Sequence, residues 1–149
     1  MRAPPLSAPG FTLLETLVVL LILSLAATAL PRFWSAGRGG LVRAAAEDAA
    51  AMLREARLAA RGEGREARVV FDTALGSFRR ADGGRTGRVP QGAALLVEGV
   101  ATEADADGRI AIRFDAEGGS TGGRVRVALG ALSSAVEVDW LTGHVHAQP

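Results

Sequence analysis

Apolar and polar positions divide this 149-residue chain into three zones. From Phe11 to Leu30 almost every residue is apolar and Pro31 follows, a run long enough to cross a bilayer core as one helix. Only one side chain in it can carry charge, that of Glu15. From Leu41 to Arg61 the apolar residues return at three- and four-residue spacing, at Leu41, Ala45, Ala49, Met52, Ala56 and Ala59. Arg43, Glu47, Arg54, Glu55 and Arg57 take the other sides, which predicts an amphipathic helix. Its stripe is narrow and Ala-rich, so a packing partner can come close. Between these zones, Ser35 to Gly40 places three glycines in four residues. Each weakens a helix by about 1 kcal/mol relative to Ala, which predicts a break or a soft joint there. Gly62 and Gly64 then end the helix.

From Ala67 onward the period is two. Strands are predicted around Arg68–Phe71, Leu95–Val97, Arg109–Phe114, Arg124–Leu129 and Val136–Trp140, with a shorter one including Ser77, Phe78 and Arg79. Turns fall at Asp82-Gly83-Gly84, Asp107-Gly108 and Gly118-Gly119. One long N-terminal helix followed by short antiparallel strands is an α+β arrangement, with the helix covering one face of a small antiparallel sheet or sandwich. There is no strand–helix–strand alternation, which argues against a doubly wound nucleotide-binding fold.

Glu15 is the residue that demands an explanation. A carboxylate at mid-membrane costs on the order of 2.5–3.5 kcal/mol on insertion scales, so it needs a partner or a purpose. Cleavage between Gly10 and Phe11 would supply a partner, because the new α-amino group would lie one helical turn from Glu15. An ordinary secretory signal carries its small-residue cleavage site after the apolar stretch. Here the plausible cut precedes the stretch, and the helix is retained.

Gly10-Phe11-Thr12-Leu13-Leu14-Glu15 followed by a long apolar helix closely resembles the class III signal of type IV pilins and type II secretion pseudopilins. The resemblance implies that a prepilin peptidase cuts after Gly10 on the cytoplasmic side and methylates the amine of Phe11. It also implies that Glu15 engages the N-terminal amine of a neighbouring subunit during filament assembly. Arg2 and Arg32 flank the apolar run, so the positive-inside tally is nearly balanced and orients the helix weakly. The family pattern orients it instead, with the leader in the cytoplasm and the rest beyond the bacterial inner membrane. The chain then divides into a leader (1–10), a transmembrane and assembly helix (11–30), a joint with helix continuation (31–61) and a periplasmic β domain (62–149).

The later strands narrow the resemblance. Phe114 to Val125 is similar to the strand, Gly-rich loop and strand of the GspH/FimT group of minor pseudopilins and minor pilins. Val136 to Val145 is similar to its closing hairpin, in which Thr142-Gly143 forms the turn and a last strand follows. What this implies is a structural subunit near the tip of a periplasmic secretion pseudopilus, not an enzyme and without cofactors. Its partners would be other minor and major pseudopilins, the prepilin peptidase, the inner membrane and secreted cargo. The alternative within the same group is a minor pilin that binds DNA for uptake, marked by a Gly-Arg-x-Arg motif near the C-terminus. Gly123-Arg124-Val125-Arg126 matches it literally but stands on the strand after the glycine loop. At the Thr-Gly turn, where the motif is expected, the chain reads Gly143-His144-Val145-His146. If DNA binds, Arg124 and Arg126, with the Arg79-Arg80 and Arg85–Arg88 region, are the places to look.

Charge disfavours DNA. Every basic side chain is Arg, and from Ser35 onward fifteen Arg face fifteen Asp and Glu, so no net field draws in a polyanion. The distribution is uneven: Arg54–Arg88 carries nine Arg against five acids, and Glu98–Glu117 six acids against two Arg. A bipolar surface would fix register between unlike subunits, and an ordinary solvated surface would give the same tally. There is no cysteine, so a periplasmic domain folds without disulfides. Other chemistry is thin. The 118–123 glycine loop lacks the Lys of a phosphate loop. His144 and His146 share a strand face but bring no third metal ligand. Glu103, Asp105 and Asp107 lack the distal Glu of a calcium loop.

Overall fold

The computed structural model describes residues 12–99 and 108–148, with the backbone alone for residues 27–36. Helix α1 (Leu13–Glu63) is followed by eight strands, β1 (Ala67–Asp72), β2 (Ser77–Arg80), β3 (Thr86–Arg88), β4 (Ala94–Glu98), β5 (Arg109–Phe114), β6 (Gly123–Leu129), β7 (Leu132–Val138) and β8 (Val145–Gln148). The fold is α+β, and every strand pair is antiparallel. The chain forms two compact units, residues 1–36 and residues 37–149.

In the first unit, Thr12 caps the helix: its Oγ1 accepts the Glu15 N–H at 3.2 Å and its carbonyl accepts the Thr16 N–H at 3.2 Å. Residues 35–40 are helical rather than interrupted, and the boundary between the two compact units falls within them, between residues 36 and 37. Gly37, Gly39 and Gly40 are helical, and a methyl group added at any of them would meet nothing. Glycine lowers helix propensity without forbidding the conformation, and the helix formers on either side carry the hydrogen-bond ladder through.

In the second unit, α1 buries Val42, Ala45, Ala46, Ala49, Ala50, Met52, Leu53, Ala56 and Ala60. The stripe is thus turned from the one the sequence predicts: Leu41 is 55% exposed and Ala59 only half-buried, while Val42 and Leu53 point inward. Alanines on several sides of this helix give too little contrast to fix its rotation from sequence. The helix ends at Glu63, where Gly64 turns left-handed (φ 62°) and the Arg65 N–H reaches back to the Ala60 carbonyl at 3.2 Å.

The strands make two four-stranded sheets, β3-β2-β1-β5 and β4-β6-β7-β8. Both give their inward faces to one core with the helix: Val69, Phe71, Phe78, Ile112 and Phe114 from the first sheet, Leu95, Val125, Val127, Val136 and Val138 from the second. Bulk on the sheets meets alanine on the helix. β3 was not foreseen, because three residues centred on Gly87 carry no alternation. Gly87 is needed there, since a Cβ would overlap the buried Phe78 ring. β7 begins at Leu132 and stops at Val138, so Asp139 and Trp140 belong to a turn rather than to the predicted strand. The predicted Asp107-Gly108 turn lies partly outside the described residues.

That turn is tightly held. Asp139 Oδ1 accepts the N–H of Leu141 (3.0 Å), the N–H of Thr142 (2.7 Å) and the Thr142 hydroxyl (2.8 Å). These bonds, the Thr142 N–H first, hold the Asp139 carboxyl below its ordinary value. From the helix side, Arg57 Nη2 donates to the Thr142 carbonyl at 2.8 Å and Arg54 Nη2 to the Val145 carbonyl at 3.4 Å. Gly143 packs so closely that a Cβ would overlap the Gly118 carbonyl oxygen.

Two measurements test this account. Leu53→Ala should cost about 2–5 kcal/mol in denaturant unfolding followed by circular dichroism. Leu41→Ala should stay within about 0.5 kcal/mol. Equal costs would refute the rotation of the stripe. For the turn, the folded Asp139 carboxyl titrates below its unfolded value, so its stabilisation is complete above the unfolded value near pH 4. It is lost as the pH falls through the lower folded one. Amide exchange at Leu141 and Thr142, corrected for its intrinsic pH dependence, should therefore be slow at pH 6 and speed up below about pH 4. In Asp139→Ala it should be fast already at pH 6.

Candidate functional site

From Leu13 to Leu25 the helix is apolar on all sides, and its large side chains are 45–82% exposed. A helix hydrophobic all round has to be covered, by lipid or by protein. Its hydroxyl groups are satisfied within the helix: the Thr16 hydroxyl donates to the Leu13 carbonyl at 2.8 Å and the Ser24 hydroxyl to the Leu21 carbonyl at 3.0 Å. Such internal bonds are what a backbone in hydrocarbon requires. Among the described residues, no helix is long and apolar enough to cross a membrane. The described side chains of the predicted Phe11–Leu30 span stop at Ala26, and its remainder lies outside them.

Glu15 stands in the first turn of α1, where its carboxylate opposes the positive end of the helix dipole. Among the described residues it has no ion-pair partner. Gly10 and Phe11, read as the cleavage and methylation positions, lie outside the described residues. The carboxylate is thus placed at the helix start with capacity to receive a cation.

Arg124 and Arg126 are side by side on the exposed face of β6. Neither is a free cation. Arg124 Nη2 donates to Glu137 Oε2 across to β7 at 3.2 Å, and Arg126 Nη2 lies 3.6 Å from Glu98 Oε1 on β4. Strand register explains the pairing: Glu98, Arg124, Glu137 and His146 are successive partners across the four strands of the second sheet. Arg80 pairs with Asp82, and Arg85 with Asp48 at 3.1 Å.

The two charged stretches of the sequence also interleave in space. β1 lies beside β5, so Arg109 meets Asp72 at 3.3 Å and Arg113 meets Glu66 at 3.3 Å. The Arg68 guanidinium holds Glu66 below the usual carboxylate range. The Leu75 N–H, with Arg109, does the same for Asp72, and Arg80 for Asp82.

The rings of His144 and His146 are 6.2 Å apart, and among the described residues no three His, Cys, Asp or Glu side chains converge as for a metal. Glu103, Asp105 and Asp107 lie outside the described residues. What sequence reasoning missed is an open groove of about 560 Å³ where the second sheet ends, lined by Glu98, Gly123, Arg124, Glu137, Val138 and Trp140. Only the strand register brings these residues together. Beside it, Trp140 is 68% exposed and Leu141 66%.

Comparison with known proteins agrees with the signal and the fold. Residues 7–31 match the family model of the prokaryotic N-terminal methylation motif. The architecture matches the type IV minor pilin FimU of Pseudomonas aeruginosa in two crystal forms. The TM-scores are 0.55 and 0.53 at 16% and 15% identity, over 72% and 71% of this chain and 88% and 91% of that one. At such identity the likeness concerns the fold. The type II secretion system protein H of Xanthomonas campestris pv. campestris is 31% identical over 141 residues, 94% of this chain and 83% of that protein. On that near-complete coverage, joined to the methylation motif and the pilin fold, the chain belongs to the type II secretion system protein H family.

Proposed function

We propose that the chain is a structural subunit of the periplasmic secretion pseudopilus, placed near its tip, anchored in the inner membrane by its N-terminal helix and acting without catalysis. The observation that carries this reading is the start of α1: an N-capped, all-round apolar helix whose single charge, Glu15, sits in the first turn without a partner among the described residues. Cleavage after Gly10 would leave the Phe11 amine at that turn. A methylated amine keeps its positive charge, so modification leaves the pair possible.

Within one subunit, the amine would stand four residues before Glu15 in the sequence. Between subunits, the same two charges make a directional contact, the amine of one helix on the carboxylate of the next. Either pairing removes a penalty on the order of 2.5–3.5 kcal/mol for a bare carboxylate in the membrane. Only the second makes burial in the membrane depend on assembly. DNA uptake draws no support from Arg124 and Arg126, since both are already paired with carboxylates.

The test uses the full chain in a secretion-competent cell. Glu15→Ala should be cleaved and methylated normally by intact mass, yet co-purify with the other pseudopilins at least about tenfold less, as a lost pair of more than 1.4 kcal/mol requires. Undiminished co-purification would refute the charge-pair assignment. Gly10→Val should remain at its unprocessed mass.

A further inference from the structure

The two edges of the first sheet, β5 and β3, are finished differently. At β5 the backbone of Arg113 is closed off. Its carbonyl accepts the Thr121 N–H at 3.0 Å, and Thr121 Oγ1 accepts its N–H at 3.1 Å. At β3 the register leaves the backbone open. Ladder bonds in an antiparallel pair fall on alternate residue pairs. The Val89 N–H donates to the Gly76 carbonyl at 2.9 Å, so the next bonded pair along the ladder is Gly87 with Phe78. Thr86 and Arg88 therefore turn their N–H and C=O groups away from β2, and both residues are exposed.

Beside that edge stands positive charge that the fold does not use. Phe78 and Gly87 face the core, so Ser77, Arg79, Thr86 and Arg88 share the outer face of β2 and β3. None of the four is acidic, and Arg79 and Arg88 have no ion-pair partner among the described residues. The acid in the same cross-strand row, Asp72 on β1, is committed to Arg109 at 3.3 Å and to the Leu75 N–H at 2.8 Å. The second sheet differs on this point, since Arg124 and Arg126 each face a carboxylate on an adjacent strand. Charge on an edge strand ordinarily repels added strands. An arginine pair does so for apolar and basic segments, and does the reverse for an acidic one.

We propose that the β3 edge accepts a fifth strand, an extended acidic segment of a partner protein. The backbone of the segment would bond to Thr86 and Arg88, and its residues opposite those two would share the outer face with the arginines. Carboxylates at these alternate positions would stand about 7 Å apart along the segment, one meeting Arg88 directly and the other Arg79 across Thr86. Nucleic acid is the poorer fit, because a phosphate backbone offers no ladder of alternating N–H and C=O groups. The proposal does not depend on the filament reading.

The probe is the peptide acetyl-Thr-Glu-Thr-Glu-Thr-amide, titrated against the isotope-labelled full-length chain in nonionic detergent and followed by NMR, which detects weak binding. The Thr86 and Arg88 amides should shift saturably and exchange more slowly with solvent. Affinity should fall about tenfold when both glutamates are replaced by glutamine. A fall of the same order is expected for the Arg79→Gln/Arg88→Gln double variant, whose altered side chains are exposed and support no contact in the fold. A peptide N-methylated at both glutamates should not bind, although its charge is intact. Equal binding of the glutamate and glutamine peptides would overturn the proposal. So would undiminished binding of the N-methylated peptide, which would reduce the site to charge without strand addition. Tighter binding of hexathymidylate at the same two amides would overturn it as well and assign the face to nucleic acid. The fate of Glu15→Ala in cells has no bearing on any of these results.

Discussion

The close approach of α1 to two sheets at once is the constraint on which the domain depends. A helix can touch both only if its inward face is small, and six of its nine buried positions are alanine. The bulk is moved to the strands, where Phe71, Phe78 and Phe114 fill the space the helix leaves. Each sheet alone has four short strands and could not bury its inner face. The helix makes them one core. This division of volume also explains why Gly87 must lack a side chain: the Phe78 ring already occupies the space beside the edge strand.

The same helix exports order to the loops through arginine. Arg54 and Arg57 leave α1 one turn apart and donate to carbonyls on either side of the β7–β8 turn, and the stem of Arg61 lies against Gly118 in the glycine loop. A guanidinium suits this work because its donors are fixed in a plane and remain charged at every relevant pH. Of the two, the Arg57 bond at 2.8 Å is the shorter, and the Arg54 bond at 3.4 Å is the longer. The Thr-Gly turn is therefore held from within by Asp139 and from the helix by Arg57, which is why its tip can present Trp140 without collapsing onto the domain.

Much of this was legible in the residues. The Gly10-Phe11-Thr12-Leu13-Leu14-Glu15 string and the apolar run behind it are chemistry written in order along the chain, and they pointed to the family before any coordinate. The alternating strands were equally plain, since Val69, Phe71, Val125, Val127, Val136 and Val138 are buried as their period demands. What stayed hidden beyond the glycine stretch and β3 shares one physical source: partners that are distant in sequence. Leu41 was assigned to the core because an Ala-rich helix offers no contrast, and only the sheets decide which alanines face inward. Arg124 and Arg126 could be named only as a conditional DNA contact, because the carboxylates beside them, Glu137 and Glu98, come from other strands of the sheet. The groove beside them was invisible for the same reason.

The shortness of β3 also bears on how strongly its edge can bind. Beside three residues an added strand forms only a few hydrogen bonds, each worth about 0.5–1.5 kcal/mol net, which is too weak to recruit a free partner. On the function proposed above, subunits would share one membrane through their helices and would not be free partners. Their domains would meet at the high effective concentration set by a short tether, and under that condition a contact of about 1–2 kcal/mol is sufficient to choose between neighbours that the helices alone would accept equally. Affinity and identity are then separate tasks. On the function proposed above, the apolar helix with Glu15 would supply attachment, and the folded domain would supply discrimination. Discrimination requires rigid geometry rather than strength. The β3 edge has it because Gly87 seats the strand against the buried Phe78 ring, and that register sets Arg79 and Arg88 on one face.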